Sequence, residues 1–126
     1  MKTIIQTPKA PAPIGPYNQA ILVDNTLFTS GQIALDPKTM ELVNRDIEME
    51  TTQVMKNLCE VLKAAGLDFA DVVKTTIFLN DMGDFAKVNE IYGSYFNHKN
   101  APARETVQVA ALPKNVSVEI SLIAIR

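Results

Sequence analysis

The stretch NVSVEISLIAI, from Asn115 to Ile125, decides how the rest of the chain must be arranged. Alternation puts Val116, Val118, Ile120, Leu122 and Ala124 on one face of a strand, and Ser117, Glu119, Ser121, Ile123 and Ile125 on the other. A strand that is apolar on both faces except around Glu119 suits an interior position in a sheet. Helices laid on one face of such a sheet leave a second apolar face to be covered, and other subunits are the expected cover.

Upstream of this strand lie the remaining elements. NQAILV and TLFTSGQI are two β-rich runs joined at Asp24-Asn25, residues that tolerate the left-handed conformations of a tight hairpin. DPKT (Asp36 to Thr39) is a second turn leading into MELV, a possible third strand. From Asp46 to Ala65, Ile47, Thr51, Val54, Met55, Leu58, Leu62 and Ala65 recur at steps of three and four, which predicts a helix capped by Gly66. Cys59 flanks that apolar stripe and reads as a packed, inert thiol. DVVKTTIFLN (Asp71 to Asn80) reads as a strand, and a second helix follows from about Met82 to Asn97 with Phe85, Val88, Tyr92 and Phe96 as its stripe. Thr106 to Ala111 is a further strand, so the order is ββ(β)αβαββ: an α+β domain with a mixed sheet and two amphipathic helices.

Composition narrows the function. The 126 residues are 47% hydrophobic, which supports one domain with a real core and not two. A net charge of −2, scattered Lys and Arg and no Trp argue against a nucleic-acid partner. One cysteine excludes an intrachain disulfide, and one histidine, His98, rules out a multi-histidine zinc site. The N-terminal MKTIIQTPKAPAPIGP has no signal-peptide apolar region, and no apolar run approaches the ~20 residues of a membrane span, so a soluble cytoplasmic protein is expected.

Three polar residues stand where apolar ones would be safer. Arg104 follows a proline at the mouth of the Thr106 strand, where it either snorkels to solvent or grips an anion. Glu119 shares a face with Ile123 and Ile125, and marks either a wetter end of the sheet or a carboxylate held for use. Asn89 interrupts the second helix's stripe and reads as a buried amide satisfying a loop backbone. A hairpin of the last two strands through LPKN sets Arg104 opposite Ile123 and Glu119 opposite Gln108, roughly 13 Å apart at the ordinary strand rise. An arginine and a carboxylate separated by one small molecule suggest a site for a ligand that is anionic at one end and reactive at the other.

IGPYNQA (Ile14 to Ala20), TSGQI (Thr29 to Ile33), FAKVNEIYGSYF (Phe85 to Phe96), APARETV (Ala101 to Val107) and VSVEI (Val116 to Ile120) together resemble the Rid, or YjgF, family of imine deaminases, collinearly over nearly the whole chain. The resemblance implies a chorismate-mutase-like fold, a mixed sheet with two helices on one face, assembled as a homotrimer with active sites between subunits. It implies hydrolysis of 2-imino acids such as 2-iminobutanoate and 2-iminopropanoate, or their enamine tautomers, to 2-keto acids and ammonia. Arg104 matches the family's carboxylate-gripping arginine and Glu119 the carboxylate that positions the attacking water. Tyr17, Ser30, Gly31 and Asn89 match cleft-lining residues, and Gly31 is expected to let the backbone approach the ligand. Where the family often has Ser-Cys after the arginine, this chain has Glu105-Thr106. The main-chain carbonyl of Thr106 is implied as a water contact, and strand alternation should turn Glu105 away from Arg104.

The implied chemistry calls for no metal or organic cofactor. Two other functions remain open at this level. One is a trimeric regulatory module that binds small carboxylates without turnover. The other is a ribonuclease or translation inhibitor, a role attached to some relatives, which would rest on His98 as the only imidazole.

Overall fold

The computed structural model describes residues 1–126. A six-stranded mixed sheet carries two helices on one face, which is the α+β arrangement expected. The elements in chain order are β1 (Lys2–Ile5), β2 (Ala20–Val23), β3 (Thr26–Thr29), α1 (Ile47–Ala64), β4 (Val72–Leu79), α2 (Phe85–Gly93), β5 (Ala103–Gln108) and β6 (Val118–Ile125). Strands lie in the order β1-β2-β3-β6-β4-β5, with β4 and β5 parallel and every other neighbouring pair antiparallel.

Local chemistry sets the boundaries. Asp24, with φ 53°, turns β2 into β3 through a two-residue connection. The Asp46 side chain accepts from Met49 N at 2.7 Å and starts α1. That helix ends where Gly66 takes φ 74°, with Gly66 N donating to Lys63 O and Leu67 N to Leu62 O, a Schellman closure. The core between helices and sheet is built from Val54, Met55, Leu58, Val61 and Leu62 of α1 against Leu27, Ile77, Leu79, Val118, Ile120 and Ala124.

β6 is interior, flanked by β3 and β4, and its burial alternates along Val118–Ile125 as the sequence pattern requires. The opposite face of the sheet bears no helix, and its register places Ile4, Phe28, Val107 and Ile125 there, each 44–47% exposed.

Four expectations need correction. The extra strand is KTII at the N-terminus, whereas MELV forms only an isolated bridge between Leu42 and Leu35. The second helix is shorter than Met82 to Asn97, because Met82–Asp84 is a separate 3₁₀ turn and the helix ends at Gly93. β5 begins at Ala103, so Arg104 lies inside the strand and not at its mouth. Finally, β5 and β6 form no hairpin. β4, α2 and β5 make a βαβ unit that lays β5 parallel beside β4. The segment from Val109 to Ser117 then crosses the end of β4, where Val109 N donates to Leu79 O and Asn80 N to Ser117 O, and β6 enters on the far side.

Candidate functional site

Glu119 lies on the helix-free face, opposite Phe78 in the register, half-buried and without a hydrogen-bond donor from its own chain. Burial pushes its carboxyl above the ordinary glutamate range. It shares a cavity of about 350 Å³ with Tyr17, Ser30 and Gly31, walled by Pro11, Ile14, Ile33 and Leu35. A Cβ on Gly31 would sit 2.7 Å from both Cδ and Oε2 of Glu119, and the carboxylate would have to shift to admit it. The glycine makes room for the carboxylate itself.

The walls of this cavity are held by backbone bonds. Ser30 donates through Oγ to Asn18 O at 2.6 Å and through N to Gln19 O. Gln32 and Ile120 exchange backbone bonds of 2.8 and 3.2 Å on either side of the Gly31–Glu119 contact. The proline-rich segment is pinned by Gln19, whose Nε2 donates to the carbonyls of Thr7, Ala10 and Pro11 while Oε1 accepts from Thr7 N. Prolines strip donors from a loop and leave its carbonyls seeking them, and a buried primary amide supplies them.

Arg104 occupies the other face. Its register partner is Thr75, a buried residue on the helix side of the sheet. Phe85, Asn89 and Tyr92 project from one side of α2, and together they fix the guanidinium. Its Nη1 donates to Asn89 Oδ1, and its Cζ lies 5.5 Å from the Phe85 ring centroid and 5.2 Å from that of Tyr92. The Tyr92 hydroxyl is tied to Thr75 Oγ1 at 2.7 Å, which locks the ring in place. Arg104 and Asn89 line a second cavity of about 510 Å³ together with Tyr92, Ser94 and His98.

The predicted residues therefore fall into two groups. Tyr17, Ser30, Gly31 and Glu119 share one cavity; Asn89 and Arg104 share another. Thr106 lines neither, and its Oγ1 is buried on the helix side with no partner. Glu105 faces away from Arg104 and pairs with Lys74 Nζ at 2.9 Å, so it leaves the guanidinium uncontested. Arg104 and Glu119 are two strands apart, three residues along and on opposite faces, roughly 14 Å between backbones at ordinary sheet spacings. Within one chain they cannot grip one small molecule. Asn89, exposed and not embedded in the helix stripe, is bound to Arg104. Gln19, Gln32, Phe85 and Tyr92 were not legible as site-shaping residues in the sequence; only the loss of donors in the proline-rich run hinted at Gln19.

Residues 7–126 match a family model described as Endoribonuclease L-PSP. The chain is 52% identical over 126 residues to the human 2-iminobutanoate/2-iminopropanoate deaminase, covering 100% of this chain and 91% of that protein. It is similar in structure to a Yersinia pestis protein of the conserved Rid protein family, with TM-score 0.96, 48% identity and 100% of both chains covered. It is also similar to Escherichia coli TdcF solved with bound serine, with TM-score 0.92, 42% identity and 98% of each chain covered.

Proposed function

The chain belongs to the Rid (YjgF) family, and we propose that it is a cytoplasmic hydrolase of reactive 2-imino acids, 2-iminobutanoate and 2-iminopropanoate among them. The observation that carries this reading is the state of Glu119: a half-buried carboxylate, raised above the glutamate range by burial, with no donor of its own chain and a cavity in front of it. A carboxylate so placed is suited to hold a water and take its proton.

The site is assembled from two copies of the chain in a homotrimer. Arg104 of one copy and Glu119 of the next would then face the same cleft, which the opposite faces of one sheet do not allow. The exposed Ile4, Phe28, Val107 and Ile125 give the helix-free face a reason to be covered. The serine bound to the TdcF relative is a small amino acid, of the size and carboxylate chemistry that such a cleft would take.

In this reading the planar fork of Arg104 makes two parallel charge-assisted bonds to the substrate carboxylate. Glu119 accepts a proton from a water whose oxygen bonds to C2 of the protonated imine. The C=N electron pair passes to nitrogen and gives a carbinolamine. The proton held by Glu119 then reaches that nitrogen, the freed carboxylate takes the hydroxyl proton as the O–H electrons re-form a C=O bond, and the C–N bond breaks with loss of ammonia. An enamine enters the same route after protonation at C3. The steps as written use no metal and no organic cofactor.

The test is imine decay. 2-Iminobutanoate is generated in situ with an amino-acid oxidase and the surviving imine trapped with semicarbazide, with the wild type or Arg104→Ala present. Loss of trapped imine with the wild type alone is expected. Equal trapping with both, while the wild type still binds 2-ketobutanoate, contradicts the deaminase and leaves a carboxylate-binding module.

A further inference from the structure

Glu50 is the buried titratable group that the reaction above leaves unused. It sits in the first turn of α1, 3% exposed, on a helix face otherwise given to Val54, Leu58 and Val61. Its Oε2 accepts from Ser117 N at 2.7 Å and from Val118 N at 3.1 Å. Burial, with Asp84 adding to it, pushes its carboxyl above the ordinary range even though two amides donate to it. A carboxylate is costly to bury at such a place unless the hydrogen bonds it accepts compensate.

What the carboxylate secures is the start of β6. The chain arrives there from Lys114 and Asn115, both at left-handed φ (55° and 56°), with no strand pairing behind it. Ser117 and Val118 immediately precede Glu119, and the paired Gln32 holds Ile120 on its other side. Besides its register pairing with Phe78 of β4, Glu119 thus lies between two further anchors, one of them a side chain reaching down from the helix layer. We propose that Glu50 is a positioning residue for the deaminase site, acting through the backbone of Ser117 and Val118 to hold Glu119 where its carboxylate meets Gly31 and the cavity. This rests on the deaminase reading for its catalytic consequence, and on geometry alone for the positioning.

Three variants separate the possibilities. Glu50→Gln keeps an acceptor of the same reach, Glu50→Asp keeps the charge but withdraws it by one methylene, and Glu50→Leu removes the acceptor. Each is measured for kcat and KM in imine decay, for 2-ketobutanoate binding, and for the Glu119 carboxyl titration followed by ¹³C NMR. Displacing an aimed group by a fraction of its length costs on the order of tenfold or more in rate, so Glu50→Leu and Glu50→Asp should lose at least about tenfold in kcat. KM, 2-ketobutanoate binding and assembly should stay as in the wild type, and Glu50→Gln should recover to within about threefold of it. The Glu119 titration should move toward the ordinary glutamate range in Glu50→Leu and Glu50→Asp and stay in place in Glu50→Gln. If Glu50→Leu does not fold, Glu50→Asp decides. An unchanged Glu119 titration in every folded variant overturns the proposal, as does a loss of kcat in Glu50→Gln equal to that in Glu50→Leu. A wild type without imine turnover contradicts the deaminase reading instead, and the titration still decides the positioning.

Discussion

The two halves of the candidate site hold their charges by opposite means. Arg104 sits on an edge strand under a helix, and its guanidinium is fixed by side chains: an amide oxygen, two aromatic faces and a hydroxyl that locks one of the rings. Glu119 sits on an interior strand with no side chain bonded to it, and its place is fixed by backbone: the Gln32–Ile120 bridge, the absent Cβ of Gly31 and the start of β6. The difference suits the two tasks proposed for them. A group that binds a fixed charge benefits from a preset orientation with free N–H edges. A group that holds a water must keep its own oxygens unclaimed, and only the backbone can fix it without claiming them.

The largest effects should come from removing either charge. Arg104→Ala loses two charge-assisted bonds of roughly 1.5–3 kcal/mol each, and kcat/KM should fall at least about a hundredfold. Arg104→Lys should restore little, because an ammonium cannot make the paired bonds. Gly31→Ala comes next. The added Cβ falls 2.7 Å from Glu119 Oε2 and must displace it, so kcat should fall by about tenfold or more with 2-ketobutanoate binding kept. A Gly31→Ala enzyme with normal kcat contradicts the backbone-fixed half.

Smaller changes sharpen the contrast. Tyr92→Leu removes one cation–π face of about 0.5–1 kcal/mol, so KM should rise a few-fold with kcat little changed. A fall in kcat at constant KM would place Tyr92 in the wrong half. The pH profile is specific to Glu119. Burial raises its pKa, so the base form is lost at a higher pH than in an ordinary glutamate. Activity should therefore fall with acidity through a midpoint above the ordinary 4.5. Steady-state rates against pH would show it, and an acid limb with its midpoint at or below 4.5 would assign it elsewhere.

Much of the frame was legible in the sequence. The period of α1, its caps and the alternation of Asn115 to Ile125 predict elements that the structure contains, because each is a local pattern imposed by a single buried face. Strand order was not legible. Whether β6 folds back on β5 or hops past β4 depends on the crossover geometry of β4, α2 and β5, to which the LPKN turn gives no clue. Arg104 and Glu119 stood out because each was a charge on an otherwise apolar face. That they occupy opposite faces follows only from the parallel register of β5, and Gln19 and Glu50 stayed hidden because what they satisfy is distant backbone.

The central claim is that the site is divided between copies, and subunit mixing tests it most directly. Arg104→Ala and Glu119→Gln proteins, each inactive alone, are unfolded together in equal amounts, reassembled and assayed for imine decay. If each site takes its arginine from one copy and its carboxylate from the next, random assembly leaves half of the arginines and half of the carboxylates intact. About a quarter of the sites should then be whole, with a matching recovery of wild-type activity. Mixed oligomers that form but stay as inactive as their parents would contradict the divided site.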